Sequence, residues 1–313
     1  MKILAMSSFI PEHICDIERF TQFNGDRNIS NYCGYASDFI SRVIQDKEID
    51  GAVYPLSCDS TRVITSYLSD CNKFLHQIRI PSYNTLGAEL FFAKEIERYK
   101  CELEKYFEIS IKNVNDRIEK INTRNKAIKE CYQNIENIKY SDYIKSIHEM
   151  LQQPLMNQTL KLQVNNKKSS SKKVFLVGSF LSNINIINLI ENTGLTIAGD
   201  TLPESGRLCT TEPVKINDDI YLEISKSILS AKLSPTQNSF KTIVNRDFEE
   251  INRKNINGII FITQKYCESY DYLYSVYKSI ADFKGIPIIQ IGFNNTEDNG
   301  NASLAIEAFA DTI

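Results

Sequence analysis

The stretch NGIIFITQKYCESYDYLYSVYKSIADFKGIPIIQI, residues 257–291, decides the fold class of this chain. It opens with an apolar run at 258–263, continues into a helix-spaced segment at 271–283 and closes on a second apolar run at 286–291. A buried strand, a helix and another buried strand in that order are typical of a βαβ unit, whose strands run parallel. The stretch therefore predicts an α/β fold.

The N-terminal part of the chain shows the same order of elements. Apolar runs at 1–5 (MKILA) and 51–56 (GAVYPL) predict two buried strands, and the spacing of the apolar residues between them predicts a helix over 36–49. A second helix is expected over 62–75, followed by a third short strand over 77–81. This part is therefore also expected to form a parallel sheet with helices.

The 313 residues exceed one ordinary domain of about 100–200 residues, so two domains are expected. Residues 1–87 form the predicted N-terminal α/β domain. Residues 88–164 contain no glycine and a single proline, which predicts a helical segment. The polar, basic stretch NNKKSSSKK at 165–173 is expected to be a linker or loop. The C-terminal α/β domain is expected over 174–313, with one of its helices over 211–233.

Charge and hydropathy exclude several classes of protein. The chain carries 36 Lys and Arg against 39 Asp and Glu, so it lacks the basic surplus of a dedicated nucleic-acid binder. It has no run of 18 apolar residues, so no membrane span is expected. Its first apolar run is broken at Pro11, unlike that of a secretory signal peptide. The expected location is the reducing cytoplasm, where cysteines remain thiols or bind metal.

Three of the eight cysteines stand where parallel sheets bind ligands, just beyond the carboxyl ends of strands. Cys58 follows the run 51–56, Cys267 follows the run 258–263, and Cys33 precedes a predicted helix, whose N-terminus stabilises a thiolate. A local zinc site is excluded because there is no CxxC pair and there are only three histidines. Three thiolates favour an iron–sulfur cluster. The alternative is that these cysteines pack in the core as small hydrophobic residues.

The remaining cysteines give weaker signals. Cys15, Cys71, Cys101 and Cys131 fall within helix-spaced segments and are expected to pack in the core. Cys209 is a weaker candidate for a fourth metal ligand.

Four segments carry a resemblance to a known family. GAVYPLSCDSTR (51–62), TIAGDTLPESGR (196–207), the stretch 257–291 and IEAFADTI (306–313) resemble the 2-hydroxyacyl-CoA dehydratase family. That family includes the D-component of 2-hydroxyglutaryl-CoA dehydratase, benzoyl-CoA reductase subunits and double-cubane-cluster proteins. The Cys-Asp-Ser turn and the Lys-x-Cys strand end are its most specific motifs here, and the resemblance runs nearly from end to end.

The resemblance implies a fold, a cofactor and partners. It implies two Rossmann-like parallel-sheet domains with an intervening helical segment, and a 4Fe-4S cluster held between them by Cys33, Cys58 and Cys267. It also implies a related second subunit or a second copy of the chain, an ATP-dependent activator iron–sulfur protein and an acyl-CoA substrate. The implied reaction is a radical elimination of water, in which one added electron gives a ketyl radical anion that expels the α-hydroxyl group.

Several polar residues beside these positions are candidates for cofactor binding. Ser57, Asp59 and Ser60 are expected to hydrogen-bond cluster sulfurs or, alternatively, to cap the next helix. Lys265 is expected to offset cluster charge or contact CoA phosphates, with an ordinary surface lysine as the alternative. Arg207 is expected to bind a phosphate or carboxylate, with a surface ion pair as the alternative.

Three functions remain open from the sequence. The leading one is a dehydratase subunit acting on a CoA thioester. The second is an atypical or accessory family member, resembling benzoyl-CoA reductase or double-cubane proteins, that transfers electrons without dehydrating. The third is an α/β binding module without a cluster. No catalytic base is assigned, because a helix start at Pro11 accounts for Glu12 and His13 as well as a proton-transfer role does.

Overall fold

The computed structural model describes residues 1–7, 9–21, 32–82, 85–160, 172–181, 184–231, 234–237, 239–293 and 300–313. Within these ranges the chain forms two four-stranded parallel sheets, one in each half. The strands are β1 (Ile3–Ala5), β2 (Ile17–Arg19), β3 (Gly51–Leu56), β4 (Phe74–Arg79), β5 (Lys173–Gly178), β6 (Thr196–Asp200), β7 (Gly258–Gln264) and β8 (Ile288–Phe293). The predicted fold class of two Rossmann-like α/β halves is confirmed.

Helices connect the strands and cover the sheets. They are α1 (Gly34–Gln45), α2 (Asp59–Arg62), α3 (Ile64–Tyr67), α4 (Leu86–Phe107), α5 (Val114–Gln133), α6 (Tyr140–Leu151), α7 (Asn185–Asn192), α8 (Ile220–Ser230), α9 (Phe240–Arg253), α10 (Glu268–Lys284) and α11 (Gly300–Thr312). Across the described ranges, none of these helices combines the length and the apolar character needed to cross a membrane.

The two sheets share one strand order. It is β2-β1-β3-β4 in the first sheet and β6-β5-β7-β8 in the second. In each sheet the second strand in sequence pairs on one side of the first strand, and the third strand pairs on its other side. The carboxyl ends of β1 and β3, and of β5 and β7, therefore flank a topological switch point, where sheets of this kind bind ligands.

The central strand β7 shows why both faces of a sheet need helices. All seven of its residues are buried, and successive side chains point to opposite faces. Ile259 and Phe261 pack against α9 and α10. Ile260 and Ile262 belong to a second core with residues of α6, α7 and α11. Apolar side chains on both faces therefore hold the C-terminal sheet between two helical layers.

The helical segment divides between the two cores. Phe92 and Ile96 of α4 pack on the N-terminal sheet together with Ile224 of α8. Tyr143 and Ile147 of α6 pack on the C-terminal sheet. The expected domain boundaries remain a prediction, and residues 165–171 of the expected linker lie outside the described residues.

Several predicted elements differ from the structure. The helix expected over 62–75 is replaced by the short helices α2 and α3, and β4 begins at Phe74, earlier than the strand expected over 77–81. The helix expected over 211–233 is shortened to α8. Strand β2 was not predicted, because three residues are too few to display a period. It forms through pairing with β1, which sequence spacing does not report.

Candidate functional site

Cys33, Cys58 and Cys267 each occupy the residue immediately before a helix. Cys33 precedes α1, Cys58 precedes α2 and Cys267 precedes α10. All three line one cleft, with a volume of about 110 Å³, between the ends of the two sheets. We refer to it as the cysteine cleft. Three thiols distant in sequence are thus brought to one place, with backbone N–H groups of helix starts around them.

Cys33 and Cys267 share a hydrogen bond. The hydrogen bond from Cys267 lowers the pKa of Cys33 to about 7. The backbone N–H groups of Ala36 and Tyr35 also lower this pKa, whereas burial acts to raise it. The same hydrogen bond, together with burial, raises the pKa of Cys267 well above its ordinary value. The two thiols therefore share a proton, and Cys33 is the more acidic of the pair.

Cys58 is fixed by the turn that starts α2. Burial raises the pKa of its thiol, and the neighbouring Cys33 raises it further. The backbone N–H groups of Thr61 and Ser60 act to lower this pKa but do not outweigh burial. The hydroxyl oxygen of Thr61 accepts the backbone N–H groups of Ser57 and Cys58, both at 3.1 Å. Thr61 therefore sets the direction of Cys58, a role that sequence reasoning missed, although its place three residues after the cysteine is that of a capping residue.

The structure separates the predicted neighbours of the cluster into two groups. Ser57 and Ser60 line the cysteine cleft. The side chain of Asp59 is 90% exposed and its Oδ1 lies 3.5 Å from Nε of Arg62. Lys265 is exposed, with its Nζ 5.6 Å from the centre of the Tyr266 ring. Asp59 and Lys265 are therefore placed as surface residues, outside the lining of the cleft.

Arg207 is a buried cation in the cysteine cleft, and only 4% of it is exposed. Its Nη2 donates to the hydroxyl of Tyr270 at 2.8 Å, and its Nε has no hydrogen-bond partner. Within the described part of the chain, no carboxylate forms an ion pair with it. The surface ion pair considered from sequence is therefore not formed, and the guanidinium remains available to an anion in the cleft.

Asp200 holds the loop that carries Arg207. Its Oδ1 accepts the N–H groups of Leu202 and Gly206, both at 2.8 Å, and its Oδ2 accepts the hydroxyls of Ser205 at 2.7 Å and Tyr140 at 2.8 Å. A Cβ on Gly206 would lie 2.1 Å from the backbone oxygen of Asp200, so only glycine fits. Burial raises the pKa of Asp200. Its role is structural.

An aromatic stack joins the two halves beside the cleft. The rings of Tyr35 and Phe180 are parallel within 4°, with centroids 4.1 Å apart. The Tyr35 hydroxyl lies within hydrogen-bond distance of two backbone oxygens, that of Phe20 at 2.9 Å and that of Met6, which share its one proton. The sequence held one signal for Phe180: it comes two residues after β5, as Cys58 does after β3.

The other cysteines lie elsewhere. Cys209 is buried, with its sulfur 3.8 Å from the Tyr143 hydroxyl and outside the cleft lining, so the structure does not support a fourth-ligand role. Cys15 is buried after a turn rather than in a helix, Cys71 lies between α3 and β4, and Cys101 is exposed on α4. Cys15 belongs to the N-terminal core, and Cys71 and Cys131 pack against cores, so the predicted packing is confirmed for these three, although Cys15 and Cys71 lie outside helices. The predicted core packing is wrong for Cys101.

Glu12 does not start a helix, because residues 12–14 form a turn. Its carboxylate pairs with Arg19 at 3.0 Å and with Arg124. Although burial acts to raise it, the pKa of Glu12 is held well below its usual range by these two guanidinium groups. Glu12 is therefore unsuited to accept a proton near neutral pH.

The donor set can be compared with known metal chemistry. Among the described residues, no three His, Cys, Asp or Glu side chains are arranged to hold a metal ion. A tetrahedral zinc site needs its ligands around one ion and normally a fourth protein ligand. An iron–sulfur cluster binds each thiolate at a different iron, so its ligands need not converge on one point. Three thiols around an open cleft therefore fit a cluster better than zinc.

Comparisons with known proteins add one informative match. A family model described as "2-hydroxyglutaryl-CoA dehydratase, D-component" matches residues 18–313. No curated protein matches the chain. A solved structure titled "crystal structure of SsGBP and GDP complex" is 11% identical over 99% of this chain and 98% of that chain, with a TM-score of 0.26. The crystal structure of a mutation variant of SsGBP is 10% identical over 99% and 96%, with a TM-score of 0.21. At such scores the likeness carries no argument.

Proposed function

This chain belongs to the 2-hydroxyglutaryl-CoA dehydratase D-component family, and from that premise we propose that it is the iron–sulfur subunit of an enzyme that eliminates water from a 2-hydroxyacyl-CoA thioester. Family membership indicates a dehydratase subunit that works with a partner subunit. The observation that carries the finer proposal is the meeting of Cys33, Cys58 and Cys267 in one cleft between the two sheets.

The thiolates of Cys33, Cys58 and Cys267 would hold a 4Fe-4S cluster. When bound, such a cluster supplies a low-potential electron and an open iron that acts as a Lewis acid. The chain's own contribution is electrostatic, because three helix starts present N–H groups to a negatively charged group. Ser57 and Ser60 line the same cleft and offer hydroxyl groups for hydrogen bonds to sulfur.

Arg207 binds the anionic part of the substrate in this proposal. Its guanidinium is buried and lines the cleft, so it can donate hydrogen bonds to a phosphate or carboxylate that enters. Asp200 holds the loop, and Tyr270 holds one guanidinium nitrogen. The Tyr35–Phe180 stack closes one side of the cleft, which helps to exclude water.

The full assembly includes further components. We propose a related second subunit or a second copy of this chain, an ATP-dependent activator iron–sulfur protein, and the reducing cytoplasm as the location. The activator protein would supply the low-potential electron that the cluster needs. A cluster without dehydratase activity would instead indicate the accessory, electron-transferring role.

Metal analysis of anaerobically purified protein tests the cluster. We expect about four iron and four sulfide ions per wild-type chain and an EPR signal after reduction. Cys58→Ser, Cys33→Ser and Cys267→Ser should each lose most of the iron, whereas the exposed Cys101→Ser should keep it. Folded wild-type protein without iron after reconstitution, or a Cys58→Ser variant with full iron, would refute the proposal.

Turnover tests the substrate class. Wild-type protein with its partner and activator should dehydrate an (R)-2-hydroxyacyl-CoA. Arg207→Gln should raise KM at least tenfold with an unchanged iron content, because the substitution removes the cation that faces the cleft. An unchanged KM would exclude Arg207 as an anion contact.

A further inference from the structure

The buried polar atoms that lack partners are concentrated along one path beside the cysteine cleft. Among the described residues, eight such atoms lie there, on side chains that are each at least nine-tenths buried: His13 Nδ1 and Nε2, Arg19 Nε, His148 Nδ1 and Nε2, Ser179 Oγ, Glu204 Oε2 and Arg207 Nε. Others, such as His76 Nε2 on β4, lie elsewhere. A buried polar atom without a hydrogen bond is costly, so native structures satisfy such atoms with protein or with water. Eight of them in one region point to bound water.

Two small cavities provide the space. The first, which we call the His148 cavity, has a volume of about 20 Å³ and is lined by His148, Glu204 and Arg19. The second, the His13 cavity, has a volume of about 30 Å³ and is lined by His13, Arg19 and Arg207. One water needs about 10–15 Å³ measured in this way together with two to four polar partners. Each cavity meets both conditions.

The two cavities and the cysteine cleft share their walls. Arg207 lines both the cleft and the His13 cavity, and Arg19 lines both the His13 and the His148 cavities. Ser7 and Phe180 line both the His148 cavity and the cleft. Both cavities therefore adjoin the cleft.

The His148 cavity places an imidazole beside a carboxylate. Glu204 Oε1 accepts the N–H of Leu181 at 3.0 Å and lies 3.5 Å from Nε2 of His148, while Glu204 Oε2 has no partner. The other carboxylate on the path, Glu12, is held by two guanidinium groups.

We propose that the two cavities hold a chain of bound waters that carries protons between the cysteine cleft and the His148–Glu204 pair. The role in elimination rests on the proposed function. Over the whole reaction the β C–H bond breaks, its proton passes through water to the His148 imidazole, and its electron pair becomes the new C=C bond. The α C–O bond breaks with its electron pair on oxygen, and the leaving hydroxide takes the proton back as water. The sum is redox-neutral.

A crystal structure of the cluster-free wild-type chain tests the waters directly. We expect electron density for water within about 3.2 Å of Glu204 Oε2, of a His148 ring nitrogen and of Arg19 Nε. Dry cavities, or side chains that repack onto one another, would overturn the proposal whether or not the protein is a dehydratase.

Kinetics test the proton transfer. Glu204→Gln keeps the shape of the side chain but removes its ability to hold charge beside His148. It should lower kcat at least tenfold and slow deuterium uptake from D2O at the β-carbon of the acyl group, with KM and iron content unchanged. The matched control Glu149→Gln lies exposed on α6 and should behave as wild type. His148→Gln is the second variant, should Glu204→Gln fail to fold.

The outcomes separate this proposal from the proposed function. A wild-type chain that binds iron but dehydrates no 2-hydroxyacyl-CoA would refute the proposed function, and the crystallographic waters would still decide the water chain. Wild-type kcat and deuterium uptake in both variants, in an enzyme that does dehydrate, would overturn the proton path alone.

Discussion

Replacement of Asp200 by alanine should release the loop that carries Arg207. Asp200 is fully buried, and its Oδ1 accepts the N–H groups of Leu202 and Gly206 at 2.8 Å. Alanine leaves both N–H groups buried without an acceptor, at about 1–3 kcal/mol each. The hydroxyls of Ser205 and Tyr140, which lose Oδ2 as an acceptor, lie 3.4 Å apart and can hydrogen-bond to each other, so they add little to the loss of stability. We expect a total loss of about 2–6 kcal/mol.

The size of this loss can be judged against total stability and against a conservative variant. A folded domain is stable by about 5–15 kcal/mol, so Asp200→Ala removes a large share. Asp200→Asn keeps an oxygen for both N–H groups, and its amide can donate to the hydroxyls of Ser205 and Tyr140, which rotate to accept. Because burial already disfavours the charge of Asp200, the neutral amide should cost about 1 kcal/mol or less.

Urea unfolding of the three proteins, followed by far-ultraviolet circular dichroism, measures the loss. Hydrogen exchange provides a local readout, because the amides of Leu202 and Gly206 should exchange faster in Asp200→Ala than in wild type. Equal midpoints for wild type and Asp200→Ala would refute the reasoning. Equal losses in the alanine and asparagine variants would show that the hydrogen-bond pattern is not what stabilises the loop.

The remaining predictions concern the thiol pair and the loop glycine. In the reduced, cluster-free protein, the alkylation rate of Cys33 by iodoacetamide, followed by mass spectrometry, should rise with pH around a midpoint near 7, since the thiolate is the reactive form. Cys267→Ala removes the largest cause of this lowered pKa, so the midpoint should move upward; an unmoved midpoint would contradict the shared hydrogen bond. Gly206→Ala should unfold at clearly lower urea, because its Cβ would lie 2.1 Å from a backbone oxygen. Gly87→Ala, in the first turn of α4 with no close neighbour, should unfold at equal or higher urea and is the matched control.

The two α/β halves could be predicted from particular apolar runs. GAVYPL and GIIFIT are short, continuous and followed by polar turns, and these are local properties that survive without knowledge of the fold. Strand β2 and the start of β4 could not be placed, because β2 has only three residues and β4 follows two short helices. Such elements are stabilised by pairing with β1 and β3, and the partners are distant in sequence.

The same division holds for the candidate site. The sequence by itself determined that Cys58 and Cys267 follow strands and that Cys33 precedes a helix, because strand ends and helix starts are local patterns. The family resemblance implied that the three thiols meet, and the tertiary structure places them in one cleft. Only the tertiary structure decided that Arg207 is buried in that cleft, since its burial depends on how the two sheets meet. Spacing along a chain carries no information about contacts between distant segments. For that reason the His148–Glu204 pair, which joins α6 to the loop after β6, had no signal in the sequence.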